Sequence, residues 1–191
     1  MTYDKTTRTL HRFLAAGIIL QILLSLVMSH PKPGYTGNWL FTLHSWAGLA
    51  VGVLLVVHWV KSLPKYRATP HYLFPWTTKA GIDAVIADAR LYIQAAKERK
   101  IPESDVPTPL PGAIQGIGLI VASALAFTGF IIYFSLYPNG QISAFGWLAK
   151  ELHELLASVL WTFLIVHVGA AVLHQIYGQP LITQMFRHKE D

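Results

Sequence analysis

The chain has 191 residues and a mass of 21.3 kDa, contains no cysteine, and is 53% hydrophobic but only 13% charged, with a mean hydropathy of +0.42. This composition excludes an ordinary soluble domain and favours a membrane protein. The lack of cysteine excludes disulfides, thiolate metal sites, iron–sulfur clusters and covalently attached haem, so any metal must be bound by histidine or oxygen.

Four apolar stretches follow one another along the chain. Each supplies about 20 residues, enough to cross a hydrocarbon layer of ~30 Å as a helix. The predicted spans cover residues 10–29, 39–60, 112–134 and 152–174. We therefore predict an all-α integral membrane four-helix bundle, a single membrane domain over residues 1–191, with both termini on the same side.

A long loop over residues 61–111 separates the second span from the third, and it contains an amphipathic helix over about 78–99. The apolar positions recur every three or four residues, at Ile82, Val85, Ile86, Ala89, Ile93 and Ala96. The opposite face carries Asp83, Asp88, Arg90, Gln94, Lys97 and Glu98. This pattern predicts a helix along the inner membrane surface or against a partner subunit. Packing on the protein's own cytoplasmic side fits it equally well.

The basic residues are concentrated on one side of the predicted topology. Three precede the first span, eight lie in the long loop and two follow the fourth span, so that only Lys32 and Lys150 of the 15 lie on the other side. The positive-inside bias then places both termini and the long loop in the cytoplasm. The net charge of +5 therefore reports orientation and does not indicate nucleic-acid binding.

Histidine is the informative residue type in this sequence. Six of the nine lie within or at the edges of the spans: His11, His44, His58, His153, His167 and His174. Ionisable groups inside a bilayer are costly unless they are partnered, so they mark functional sites. His44 and His58 are fourteen residues apart, as are His153 and His167, and this spacing covers ~21 Å of helix and returns to nearly the same face.

The second and fourth spans run in the same direction, so His44 is level with His153 and His58 with His167. The first span runs the other way and brings His11 to the inner level. The spacing predicts two stacked sites, each able to take a haem b between two opposed imidazoles. Satisfied core histidines, or a proton or metal-ion pathway, remain alternatives; zinc is disfavoured because its sites cluster four ligands.

Small residues beside these histidines leave room for a flat macrocycle. They are Ala47, Gly48, Gly52, Ala157, Gly169, Ala170 and Ala171. Close helix packing through Gly48-x-x-x-Gly52 is the alternative explanation, since this spacing is a common device of membrane helices.

Several short motifs resemble the bacterial two-haem cytochrome b family. They are Leu10-His11, Leu43-His44 with Gly48, and His153-Glu154-x-Leu156-Ala157 with His167, Ala170, Ala171 and His174. The family includes cytochrome b561-type proteins and the membrane cytochrome b subunits of formate dehydrogenase, thiosulfate reductase and nickel-iron hydrogenase. The likeness covers nearly the whole chain. The segment Arg67-x-Thr69-Pro70 before the amphipathic helix looks most like the formate dehydrogenase and thiosulfate reductase subunits.

The resemblance implies two haem b groups in a bacterial cytoplasmic (inner) membrane. It pairs His44 with His153 at the outer haem and His11 with His167 at the inner haem. Depth matching alone accepts His58 opposite His167 equally well, so His58 is the alternative inner ligand.

The expected function is that of a membrane subunit of a quinone-linked oxidoreductase, which carries electrons between the quinone pool and a redox partner. That partner would be an iron–sulfur or c-type cytochrome subunit at the periplasmic face. Gln115 and His174 are the candidate quinone contacts, in a protein surrounded by lipid. Two alternatives remain: a stand-alone superoxide oxidase that reduces quinone, and a haem-free scaffold or transporter. The superoxide enzyme would want a positive outer funnel, for which only Lys32 and Lys150 are available.

Overall fold

The structure, a computed structural model, describes residues 4–68, 73–100, 102 and 108–186. Over these residues it is all-α and has no strand, as predicted. The helices are α1 (Lys5–Val27), α2 (Trp39–Ala68), α3 (Lys79–Lys97), α4 (Pro109–Ser135), α5 (Ala144–Ile176) and α6 (Leu181–Phe186), with one 3₁₀ turn at Pro75–Thr77. Thr69-Pro70 of the loop motif and the basic tail residues Arg187 and Lys189 lie outside the described residues.

Helices α1, α2, α4 and α5 are each long and apolar enough to cross a membrane. Their outward side chains are large and hydrophobic: Leu26 is 65% exposed, Val53 64% and Ile165 68%. An apolar surface of this extent on four helices is unfavourable in water and is typical of helices that contact lipid. The four predicted spans are confirmed as four apolar helices.

Three of these helices, α1, α4 and α5, begin earlier than the predicted spans, and polar side chains cap the first and the last of them. The Thr7 N–H and hydroxyl donate to the Asp4 carboxylate at 2.9 and 2.6 Å, so α1 starts at Lys5. The same hydrogen bonds hold the pKa of the Asp4 carboxyl below its usual value. The Ser143 hydroxyl accepts from the Gly146 N–H at 3.1 Å and starts α5. Hydropathy alone places the start of α1 too late, since its first turn, Lys5-Thr6-Thr7-Arg8, is polar.

The chain divides into two compact units. The bundle unit comprises residues 9–59 and 121–160, and the loop unit comprises residues 1–8, 60–120 and 161–191. The single domain over 1–191 stays a prediction.

Small residues and hydrogen bonds between side chains connect the helices of the bundle unit. A methyl group on Gly17 of α1 would meet the Val51 side chain of α2 at 2.6 Å. The Trp59 indole N–H of α2 donates to the Ser123 hydroxyl of α4 at 3.0 Å. The two short loops of this unit are also joined, because the Gly34 N–H donates to a carbonyl of the other loop at 2.9 Å.

Helix α3 orders the loop unit. Thr78 caps it by accepting from the Gly81 N–H at 3.1 Å. Asp88 is buried (7% exposed) and accepts from the backbone N–H of Leu110, in the first turn of α4, at 2.9 Å. The first-turn N–H groups of a helix have no acceptor within the helix, so this carboxylate satisfies one of them from outside.

This arrangement corrects the predicted faces of the amphipathic helix. Asp88, expected on the polar outer face, points inward to the start of α4. Ile82, Ile86 and Ile93 of the apolar face are 43%, 45% and 59% exposed, and the packing of this face against the membrane surface or a partner subunit stays a prediction. The periodicity was sound, but the inward face is set by a backbone N–H far along the chain, which the pattern does not reveal.

Replacing Asp88 by alanine is expected to lower the free energy of unfolding by about 0.5–2 kcal/mol, the usual cost of losing a helix cap. Asp88→Asn, which keeps an acceptor oxygen, should recover part of the loss. Thermal unfolding in detergent, followed by circular dichroism, measures both. The control is Asp83→Ala on the exposed side of α3; equal melting temperatures for the two alanine variants would contradict the cap.

Candidate functional site

Two histidines from different helices face each other within the bundle unit. The rings of His44 on α2 and His153 on α5 have centroids 6.5 Å apart and planes at 79°. Both side chains are half-buried. Metal–nitrogen bonds of about 2 Å on each side would put the centroids of two opposed imidazoles roughly 6 Å apart. The observed separation therefore matches two axial ligands of one metal.

His153 is held from α4 by a hydroxyl. Its Nδ1 lies 2.9 Å from the Oγ1 of Thr128, a residue that is only 4% exposed. The next residue, Gly129, lets the ring approach, since a methyl group there would already lie 3.4 Å from the His153 Cε1. Second-shell hydrogen bonds of this kind fix the orientation of a metal-ligating imidazole.

His44 and His58 each carry a buried Nδ1 without a hydrogen-bond partner in the described part of the chain. Buried polar atoms are nearly always satisfied, so such atoms call for an explanation. A neutral imidazole nitrogen is a good metal ligand. These two atoms are therefore available for coordination or for a hydrogen bond to a bound group.

The other predicted ligands are divided between the two units. His11 and His58 belong to the bundle unit, and His167 belongs to the loop unit. The His167 ring stacks on Phe163 of the same helix, with centroids 5.3 Å apart and planes at 18°. Phe163 in turn occupies the space left by the missing side chain of Gly118 on α4. The inner pairing stays a prediction.

The sequence as a whole matches one family. The model of the family described as prokaryotic cytochrome b561 covers residues 2–188. The chain belongs to this family. The predicted resemblance is thereby confirmed, and the protein is a bacterial membrane b-type cytochrome of electron transfer whose cofactor is b-type haem. No curated protein and no solved structure matches the chain.

The donor set of this cytochrome b561 family member fits haem b. Two opposed imidazoles are what a porphyrin-bound iron needs, because the macrocycle supplies the remaining ligands. A bare metal ion would need more ligands from the protein, and no group of three or more His, Asp or Glu side chains converges within the described residues. His44 and His153 are therefore the residues of the bundle unit best suited to hold a haem.

The small residues after His44 do not provide the open space that the sequence suggested. A methyl on Gly48 would lie 3.3 Å from the Gln21 Oε1, and one on Gly52 would lie 3.7 Å from Ala126. Both glycines mark helix contacts, as the alternative explanation held. Gly169, by contrast, has nothing within 4 Å of an added methyl group.

Two site features were missed in the sequence. Thr128 carried no recognised motif, although it and His153 lie at similar distances from the loop that joins α4 to α5. The pairing of Lys150 is the second: its Nζ lies 2.7 Å from the Glu154 carboxylate and 3.5 Å from that of Glu151. The spacing of four between Lys150 and Glu154 was the available signal.

The candidate quinone contacts both belong to the loop unit. The His174 Nδ1 lies 2.6 Å from the Gln179 Oε1, and its ring lies 6.4 Å from that of Tyr92. Gln115 is half-buried on α4. Burial raises the pKa of the Tyr92 phenol, so this group keeps its proton at neutral pH. Tyr92 is an additional hydrogen-bonding group that sequence reasoning did not select.

Proposed function

We propose that this cytochrome is a di-haem electron carrier of the bacterial inner membrane, the membrane subunit of a quinone-linked oxidoreductase. It connects the quinone pool with a redox partner on the opposite side. The observation that carries the proposal is the His44–His153 pair, with its 6.5 Å separation inside the bundle unit of a cytochrome b561 family member. Each haem, when bound, would accept and donate one electron at a time.

At the outer site, His44 and His153 would hold the haem. Two imidazoles leave no coordination position for a substrate, so the site exchanges electrons without binding reactants to iron. The apolar surroundings keep water out and, with the ligands, set the reduction potential. Chemistry with substrates is therefore confined to the ends of the path.

At the inner site, His11 and His167 would hold the haem, as the family resemblance implies. The equal spacing of His44–His58 and His153–His167 supports a second site about 21 Å of helix away from the first. His58, whose Nδ1 is buried and lacks a partner within the described ranges, is the alternative ligand. As a non-ligand it would donate a hydrogen bond to a haem propionate or to quinone.

Quinone binds near the inner haem, in contact with Gln115 and His174. A quinone carbonyl needs hydrogen-bond donors, and proton uptake needs a route to water. A chain of hydrogen bonds in the loop unit includes His174. The His174 ring is hydrogen-bonded to Gln179, and the Gln179 amide donates in turn to the Pro102 carbonyl at 3.2 Å. Protonated Tyr92 beside His174 adds a donor.

The redox partner, an iron–sulfur or c-type cytochrome subunit, docks at the end of the bundle unit that carries the two short loops. The positive-inside bias assigns this end to the periplasm and both termini to the cytoplasm. His44 lies in the second turn of α2, so the outer haem is close to this surface. Exposed aromatic side chains lie at the starts of α2 and α5: Trp39, Phe145 and Trp147 are 71%, 64% and 55% exposed.

The stand-alone superoxide oxidase is less well supported. Attraction of a small anion needs a positive field at the outer end. Of the two basic residues predicted there, Lys150 is paired with Glu154 and Glu151. This leaves the positive charge of Lys32 to act alone, which favours a protein partner over superoxide.

Purification of the full chain tests the proposal. Two haems per chain, a reduced-minus-oxidised spectrum typical of b-type haem, and reduction by added quinol are the expected results. Gln115→Ala is expected to slow reduction by quinol without loss of haem. Co-purification of an iron–sulfur or c-type cytochrome subunit supports the subunit role, whereas superoxide-dependent quinone reduction by the chain alone supports the oxidase. A colourless, folded preparation would contradict both.

A further inference from the structure

We propose that Thr128 is a positioning residue for the outer haem: its hydroxyl determines which nitrogen of His153 carries the proton and so leaves the other free to bind iron. The inference rests on the proposed ligand role of His153. It adds a residue on α4 to a site whose ligands lie on α2 and α5. Thr128 is 4% exposed, so its hydroxyl is shielded from water.

The hydrogen bonds of Thr128 assign the proton. A hydroxyl has one hydrogen to donate and two lone pairs that accept. The Thr128 Oγ1 lies 2.9 Å from the Ala124 carbonyl and 3.1 Å from the Leu125 carbonyl, both of which can only accept. The hydroxyl hydrogen therefore points along α4 to these carbonyls, the usual arrangement of threonine in a helix. A lone pair of the Thr128 Oγ1 then faces His153 and can accept a hydrogen bond from it.

Consequently the His153 Nδ1, 2.9 Å away, is the donor in this contact. A neutral imidazole carries only one N–H. With the proton on Nδ1, the lone pair of Nε2 is available to a metal.

The opposite assignment does not fit a ligand. If the hydroxyl donated to Nδ1, Nε2 would carry the proton and could not coordinate, and both carbonyl contacts of Thr128 would lose their hydrogen. Thr128 therefore selects the ligating form of His153. The Nδ1 of His44 has no partner among the described residues, so the contact with a hydroxyl of α4 belongs to His153. His153 is the ligand that α4 fixes in place.

A hydrogen bond donated by a ligating imidazole makes the ring more basic, and loss of such a partner costs about 10–100-fold in metal affinity or activity. A more basic ligand favours the oxidised iron. Removal of the Thr128 acceptor should therefore raise the reduction potential of one haem, by about 59 mV for each tenfold loss of preference for the oxidised form. It should also weaken haem retention at the same site.

The test compares Thr128→Val, which keeps the shape and removes the hydroxyl, with Thr128→Ser, which keeps the hydroxyl. Redox titration followed by absorption, with electron paramagnetic resonance of the oxidised protein, is expected to show one altered haem in the valine variant and two normal haems in the serine variant. Ser123→Ala is the matched control. It also removes a hydroxyl from α4 but one that contacts Trp59.

His153→Ala separates failure of this inference from failure of the proposed function. If His153→Ala retains all haem, the ligand assignment fails and the role of Thr128 fails with it. If His153→Ala loses a haem but Thr128→Val has the wild-type potentials and spectrum, the ligand assignment stands and the Thr128 inference alone is wrong. Should Thr128→Val not accumulate, Thr128→Ala against Thr128→Ser gives the same comparison, and equal potentials overturn the inference.

Discussion

Replacing either His44 or His153 by alanine is expected to reduce the haem content from two groups per chain to one. Their rings approach from α2 and α5 with centroids 6.5 Å apart, so removal of either ring leaves a single imidazole of the pair. An iron with a single remaining axial ligand is held weakly. Quantitation of extracted haem, normalised to protein, measures the loss, and the difference spectrum should keep the bands of the other haem.

His30→Ala is the control for this experiment. His30 is exposed and lies in the loop between α1 and α2, so its removal should leave haem content and spectrum unchanged. Size-exclusion chromatography of each variant separates loss of haem from loss of fold. Full haem content in both the His44 and the His153 variants would remove the basis of the proposed electron path.

The juxtaposition of His44 and His153 could be inferred from the sequence because helix geometry is regular. The constant rise per residue of a helix gives the depth of each histidine along two parallel membrane helices, independently of the conformation of the loops. The structure puts these two rings opposite each other. Their role as ligands remains a proposal, because the spacing reports position and not coordination.

The hydrogen-bonding roles of Thr128 and Asp88 could not be predicted from the sequence, for a common reason. Each acts across the fold on a polar atom that belongs to another helix: an imidazole nitrogen for Thr128 and a backbone N–H for Asp88. Periodicity assigns a residue to a face but does not say which buried donor or acceptor that face will meet. A buried polar residue needs its partner to be known before its role can be read.

The glycines show a related limit. Gly48 and Gly169 both follow a histidine of the predicted sites. The Gln21 side chain occupies the space beside Gly48, whereas the space beside Gly169 is open. Their sequence contexts do not distinguish them. The difference arises from which helix packs against each position, and that depends on the tertiary arrangement.

Replacement of the predicted inner ligands, His11 and His167, is the second change for which we expect a large effect. His11→Ala and His167→Ala are each expected to remove the inner haem, whereas His58→Ala should retain both haems. The family resemblance places one ligand on α1 and two on α5, and α1 contributes His11. His58 then has a buried Nδ1 without a partner among the described residues. We expect this atom to hydrogen-bond a bound group, so its removal should shift the potential of the inner haem without releasing it.

The three alanine variants, compared by haem quantitation and redox titration, decide between the pairings because the alternatives predict opposite patterns. If His58→Ala bleaches one haem and His11→Ala does not, the inner ligand lies on α2 and the site follows depth matching alone. His58→Gln refines the result, since glutamine keeps a hydrogen-bonding group but is not an imidazole ligand. Wild-type potential in the glutamine variant together with a shifted potential in His58→Ala would establish a hydrogen-bonding role. Loss of haem in both His58 variants would transfer the ligand assignment to His58.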